Sequence, residues 1–583
     1  MSALLSPPSL PRRLAATALL ALASGLALLA QPATRGAARP GRSGGSLVVA
    51  LRAEPRTFNP VLAVDGPSKE IAGRLHGSLI RINRATLQTE PELATRWRMS
   101  PDGRRFTLTL RTGVRFSDGE PFGVDDVLFS FRVYLDPAVG APQRDLLIVG
   151  GRPITVSRVD DTTVQFDLAQ PYAAAERLFD GFAMLPRHRL EKAWKEGRFT
   201  SAWGLDTPPG DVVGLGPFRA VSRLPGERVV LERNPHYWKV DARGTRLPYL
   251  DRLILLAVPG EDAQVARFLA GDTHVVARLA GEQYAALERG AGRGYAVWNA
   301  GAGLEHTFLF FNLNDVDATT LPAVAARQRW FRDVRFRRAV SMAIDRPAIV
   351  RLAYRGRATA LWGPTPPGYG PWVNAAIPQP ARSAPEAQRL LAEAGFRRGA
   401  KGALVDGSGT PVTFTIATNT SNPQRVRIAS LIQEDLAAIG IGVQVAPLEF
   451  RALIDRLTRS FDYDTAILSL GGSDADPNTE VNVWLSSGAN HLWHPAQASP
   501  ATPWEREIDR LMRLQVGTLD RQARKRAFDR VQAIVAEQLP LVPLASPQIL
   551  GATRAGLANV RPAAIEPHVL WNVDELFWET PRP

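Results

Sequence analysis

Between residues 412 and 470 the chain alternates two kinds of segment. Residues 412–417, 443–446 and 465–470 are short apolar runs, and 425–439 and 450–459 between them carry apolar residues at helical spacing. Strands separated by helices of this length predict a parallel sheet with helices on its faces. Helices are also predicted over 334–349, over 384–394 with Gly395 as the residue that ends it, and over 505–514 and 522–537. A short strand guarded by prolines is expected at 541–544.

The first half reads differently. A strand at 47–51 is broken by the loop from Glu54 to Pro60, and helical spacing follows over 69–79. Residues 106–110 alternate strictly between Asp-Gly turns at Asp102-Gly103 and Asp118-Gly119, as a hairpin strand does. Residues 124–134 predict a helix with Asp125 and Asp126 in its first turn, where the helix dipole favours acids. Hairpins are predicted at 154–168 and 218–232. Residues 253–276 read as strand, helix, strand, for which a parallel crossover is expected. The whole is of the α/β class.

Residues 14–30 form a Leu/Ala-rich run behind Arg12 and Arg13, with small residues beyond it. A basic start, a short apolar stretch and small residues predict a secretory signal peptide. Residues 1–38 are therefore assigned to the leader and its linker, with a twin-arginine route and a retained anchor as open alternatives. The exported protein is expected in the periplasm, with no lipid-bearing cysteine, since the chain has 0 Cys. That count also removes disulfides, cysteine-ligated zinc, iron–sulfur clusters and a thiol nucleophile.

The formal charge is +13, and arginine supplies most of it. Nucleic-acid binders gather positive charge on one face. Here the arginines are scattered, and the densest groups (Arg332, Arg335, Arg337 and Arg338; Arg521, Arg524, Lys525 and Arg526) fall in helical segments beside acids. They read as solvated helix faces, and no nucleic-acid partner is expected.

Motifs for chemistry are nearly absent. There is no G-x-x-x-x-G-K-[ST] phosphate loop and no H-E-x-x-H. Gly290, Gly292 and Gly294 precede a strand instead of joining strand to helix. His491 and His494 are three apart, but Pro495 follows at once, which favours a structural pair. Gly41-Arg42-Ser43-Gly44-Gly45 spells a serine-nucleophile elbow outside any strand-to-helix turn, and Gly471-Gly472-Ser473-Asp474-Ala475 lacks its last glycine. An exported hydrolase acting through Ser473 is the rival from another class. No cofactor and no metal are expected, and a large exported chain without catalytic residues reads as a binder.

Three blocks carry a resemblance. The first holds Glu92-Leu93-Ala94, Trp97, Ser100-Pro101-Asp102-Gly103 and FTLTLRTGVRFSDGEPF over 106–122, continued by Asp125 to Phe131. The second is Gly214 to Phe218 with Glu232-Arg233-Asn234-Pro235-His236-Tyr237-Trp238. The third is Asp333 to Ala339 with Ala343-Ile344-Asp345. From about Ser46 to the C-terminus the chain resembles the family 5 extracellular solute-binding proteins of ABC transporters, which include dipeptide-, oligopeptide- and nickel-binding members.

The resemblance implies a type II two-lobed periplasmic binding protein with an extra subdomain and no enzymatic activity. As a monomer, it would pass a peptide or peptide-like solute to permease subunits served by separate ATPases. A nickel or metal-chelate ligand is the alternative in the same fold. Crossing strands are expected near 310–312 and 541–544. Lobe one would comprise 46–311 plus 541–583, with a subdomain at 79–211, and lobe two 312–540.

The resemblance also points to the ligand loops. Phe58 and Asn59 follow the first strand and either meet ligand or shape the turn before Pro60. Thr418 and Asn419 end a strand where ligands of α/β sheets sit. Trp362 and Tyr369 flank a Gly/Pro-rich loop and could wall the cleft or pack against that loop. In peptide-binding members an Asp four residues before a Pro pairs with the α-amino group. Here that place, in Gly472-Ser473-Asp474-Ala475-Asp476-Pro477, is Ser473, and the acids fall at Asp474 and Asp476. Either one of them takes the role, or the ligand lacks an amine, or both acids cap the following segment.

Overall fold

The computed structural model describes residues 38–580 apart from 293, 400 and 401, so the expected leader over 14–30 lies outside it. A twelve-stranded mixed sheet organises the fold. Its strands are β1 (Ser46–Leu51), β2 (Phe218–Leu224), β3 (Arg228–Arg233), β4 (Arg252–Ala257), β5 (Val275–Val276) and β6 (Tyr295–Ala302). They continue as β7 (His306–Phe311), β8 (Ala358–Ala360), β9 (Thr413–Asn419), β10 (Gly442–Leu448), β11 (Thr465–Leu470) and β12 (Leu541–Arg554). Across the sheet they run β2-β3-β4-β1-β5-β12-β7-β11-β9-β10, with β6 and β8 pairing to β12 off that path.

β4 and β5 lie on either side of β1, both parallel to it, with helix Glu261–Ala270 between them in sequence. β9 is parallel to β10 and to β11. These are the parallel pairs that the strand–helix alternation predicts.

The cores follow from which faces are covered. In β7 all six residues are buried; Leu309 and Phe311 enter one apolar cluster and Phe308 and Phe310 another on the opposite face. A strand covered on both faces needs apolar residues at every position, hence its run of aromatics. The N-terminal part has its own cluster around Leu47, Leu253 and Leu255. It continues into a four-stranded antiparallel sheet whose strands include Arg105–Leu110 and Thr163–Asp167. There Phe131 meets Phe166 at 4.8 Å and Phe166 meets Phe179 at 4.6 Å.

Three expectations change. The helix over 334–349 is two helices, Val334–Ala343 and Arg346–Ala353, because the Asp345 side chain accepts from Ala348 N at 2.8 Å and starts a new helix beside Pro347. The strand at 541–544 runs on to Arg554, taking in Pro543 and Pro547. Finally, residues 310 and 541 pair with each other inside a ladder, so neither marks a change of partner. β12 instead pairs with β7 and β8 up to Pro547 and with β6 and β5 from Gln548 on, while β6 passes to β7 through 303–305. Extended backbone keeps pairing wherever a neighbour offers a ladder, and the prolines sit where the register shifts or another edge takes over.

The arginine groups also depart from solvated faces. Arg337 is 3% exposed, with Nη1 donating to Phe331 O, and Arg524 is 5% exposed against Asp476. His491 is buried, bonded to Val483 O and to Glu505, as the structural reading of that pair expects.

Candidate functional site

The registers define where a solute would sit. β1, β4 and β5 run with their carboxyl ends toward the stretch of β12 around 546–549; β9 and β11 point theirs toward it from the other side, where His306 opposes Leu470 and Thr307 opposes Ala545. In α/β sheets the crevice beyond the carboxyl ends takes the ligand. Two such edges face each other here across the connections at 303–305 and 546–548.

The loop after β11 enters this region. Both Asp474 carboxylate oxygens accept from Arg177, Nε lying 2.5 Å from Oδ2 and Nη2 donating to Oδ1. Arg177 Nη1 donates to Leu87 O at 3.0 Å. Arg177 stands on the short helix Ala175–Leu178, inside the hairpin-rich part of the chain. The side chains are only 16% and 11% exposed. Burial opposes the guanidinium charge, and the Asp474 carboxylate more than compensates, holding the Arg177 pKa above its ordinary value.

Asp476 is likewise held, by Arg524 Nη2 at 2.6 Å and Nη1 at 3.2 Å, and it caps the next turn by accepting from Asn478 N. Both acids are therefore neutralised by this chain's own guanidinia. Ser473 is exposed between them and the sheet.

Gly472 sits against Tyr369: a Cβ there would lie 2.6 Å from the Tyr369 hydroxyl oxygen. Tyr369 is wholly buried and donates to Glu480 Oε1, while Trp484 Nε1 donates to Glu480 Oε2 at 2.7 Å. Burial raises the Glu480 pKa against both bonds. Tyr369 is thus a support beneath the loop. Trp362 stands apart, half-buried, with its indole N–H on Pro380 O at 3.1 Å and Arg346 over its ring.

Thr418 and Asn419 lie one strand over. Thr418 Oγ1 donates to Ile467 O at 3.1 Å, so its hydroxyl serves the sheet. Asn419 Oδ1 accepts from Arg425 Nη1 at 3.0 Å, and Arg425 Nε reaches Ser469 Oγ at 3.3 Å. Ser469 continues to Thr307 and Tyr354, each hydroxyl step 2.8 Å. Arg425 opens helix Pro423–Ala437 and has no carboxylate partner among the described residues.

Phe58 and Asn59 take the turn-shaping role of their two expectations. Phe58 is 0% exposed in the N-terminal core. The Asn59 amide donates to Ala202 O at 3.1 Å while its oxygen accepts from Val61 N.

The structure brings Tyr369, Gly472, Ser473, Asp474 and Asp476 together and sets Thr418 and Asn419 on the same edge. Sequence reading missed Arg177, Arg425 and the pair between Arg278 and Glu305 at 2.6 Å beside Gly471. Nothing local marks Arg177, one arginine among many; Arg425 carries a faint signal, standing in the first turn of a helix where acids are preferred.

Among the described residues no three His, Asp or Glu converge as metal ligands would, and no helix is long and apolar enough to cross a membrane. A family model described as bacterial extracellular solute-binding proteins, family 5 Middle, matches residues 88–491. A relative from Deinococcus radiodurans, named "Probable ABC transporter-binding protein", is 28% identical over 540 residues, 88% of this chain and 89% of the relative. "Di/tripeptide-binding protein 2" of Pseudomonas aeruginosa is 26% identical over 569 residues, 93% of this chain and 95% of the relative. The oligopeptide-binding protein AppA of Bacillus subtilis, solved with a nonapeptide, has the same fold, with a TM-score of 0.68 and 24% identity over 93% of this chain and 100% of that one.

Proposed function

The chain belongs to the bacterial extracellular solute-binding proteins of family 5, and on that premise we propose that it captures a peptide-like solute between two lobes and delivers it to an ABC permease with separate ATPases. It works outside the cytoplasmic membrane, as an exported protein. The lobes divide at 303–305 and 546–548, where the strands of the sheet change partners. Two short connections at which the strands change partners are where such a clamp can bend. A ligand closes such a clamp by binding the closed form better than the open one.

The ligand grip is read from charge. Both loop acids are occupied by guanidinia, so an amine end is not what the site lacks. Arg425 carries a guanidinium at the ligand edge of the sheet with no carboxylate bonded to it among the described residues, Glu305 acting on it only from a distance, and Asn419 and Ser469 fix its plane. This single observation supports a solute with a carboxylate, which a guanidinium takes through two parallel bonds. The Ser469 hydroxyl beside it offers a neutral group for the rest of a peptide-like backbone.

Calorimetry on the exported chain with one tripeptide in free, N-acetylated and C-amidated forms tests this, after mass spectrometry of co-purifying solutes has chosen the sequence. Amidation is expected to weaken binding at least tenfold and acetylation less than threefold, with Arg425→Ala reproducing the amidation loss. A large acetylation loss with no amidation loss would hand the role to Asp474 and overturn the carboxylate grip.

A further inference from the structure

A second concave site lies at the opposite end of the N-terminal part. The loop after β3 returns to β4 by way of His236, Trp238 and Arg246, and it runs past the amino ends of β1 and β4, where Gly44 N donates to Tyr249 O and Asp251 N to Gly45 O. Solutes caught between lobes belong at the carboxyl ends. Strand Arg105–Leu110 leads into Arg111 at this end.

Arg111, Arg115, His236, Trp238 and Arg246 line a cavity of about 450 Å³ there. Each guanidinium is pinned by one bond to a backbone carbonyl: Arg111 Nε to Glu92 O at 3.1 Å, Arg115 Nη1 to Gly119 O at 2.8 Å, and Arg246 Nη1 to Pro235 O at 2.6 Å. Arg111 also lies 4.0 Å over the Trp238 ring. No carboxylate pairs with any of the three among the described residues. Of the nearest acids, Glu92 lies buried 3.9 Å from Arg81 and acts on Arg111 from a distance, and Asp118 accepts from His188 and Arg189.

Three guanidinia around one cavity, each held by one backbone bond and with no carboxylate bonded to it among the described residues, form an arrangement that a multiply charged oxyanion completes. We infer that this cavity binds a phosphate-type oxyanion, a site separate from the solute cleft. A carboxylate offers two oxygens on one edge, whereas a tetrahedral anion presents oxygens in several directions, as donors from three arginines require. The same chemistry is carried by free phosphate and by the headgroup of an anionic phospholipid.

The test is calorimetric titration of the full chain with inorganic phosphate, beside sedimentation with phosphatidylglycerol and phosphatidylcholine vesicles. The variants are Arg115→Ala with Arg246→Ala, an equal-charge control of Arg289→Ala with Arg451→Ala, and Arg111→Gln, a single change that serves if the arginine pair proves unstable. Saturable phosphate binding weakened at least tenfold by the first pair, weakened by Arg111→Gln and untouched by the control supports a free-anion site. The same pattern with phosphatidylglycerol vesicles alone supports a headgroup site. Absence of both, or equal weakening by the two arginine pairs, overturns the inference.

Discussion

Arg177 and Asp474, 297 positions apart, form a two-bond ion pair that ties the hairpin-rich part of the chain to the loop after β11. Ala173 N donates to Val516 O at 2.8 Å alongside it, so the contact is a seam and not a single bridge. Such a pair favours the arrangement in which these segments meet.

Breaking one side strands the other. Asp474→Asn is expected to cost about 3 kcal/mol, since it leaves a buried guanidinium without its countercharge. The double change Arg177→Met with Asp474→Leu should recover most of it. Urea unfolding of the three variants checks this; equal losses for single and double variants would show that the two side chains do not act as a pair.

Glu505 predicts an acid-side slope. Burial opposes its charge, yet bonds from His491, Gln497 and Thr502 bring its pKa from 4.5 to about 2. A depressed carboxylate contributes stability that is fully present above the unfolded value and is lost as pH falls from 4.5 toward 2. Glu505→Gln should therefore be less stable by about 2–3 kcal/mol at pH 7, with the gap closing near pH 2. Unfolding midpoints measured across that range decide it, and a gap independent of pH would contradict the assignment.

His76 gives a second window. Buried and stacked on Trp203 at 5.4 Å, its ring is held neutral, with the pKa lowered from 6.5 to about 4. For a base lowered by folding, stability is complete above 6.5 and declines as pH drops from 6.5 to 4. His76→Phe keeps the stack and should remove up to about 3 kcal/mol of that decline. Parallel pH profiles for the two proteins would sink it.

Gly472→Ala addresses the floor of the candidate site. The added Cβ meets the Tyr369 hydroxyl, which is bonded to Glu480 and cannot retreat without leaving a buried carboxylate short of a donor. The variant should fold with a lowered melting temperature and bind its solute at least tenfold less tightly. Unchanged affinity would place Gly472 outside the site.

Local order was readable. Strands at 106–110 and 465–470 and the helices over 425–439 and 522–537 emerge within a few residues of their sequence positions, because alternation and helical spacing report burial on one face or two. The helix break at Asp345 was readable in principle, from an N-cap acid two residues before a proline. The length of β12 was not, since Pro543 and Pro547 argue locally against a strand and only its neighbours β7, β8 and β6 keep it extended. At the candidate site the loop carrying Gly472, Asp474 and Asp476 stood out in the sequence, and the partners of its acids did not.

The amino-acid order alone determined the class of fold and the family, for these rest on patterns a few residues long. Tertiary structure decided how each charge is met: Arg177 closes on Asp474, Arg524 on Asp476, and Arg425 has no carboxylate bonded to it among the described residues. A charged side chain reveals its identity in sequence, but its energy depends on what lies within a few ångströms, and those neighbours come from segments tens to hundreds of residues away.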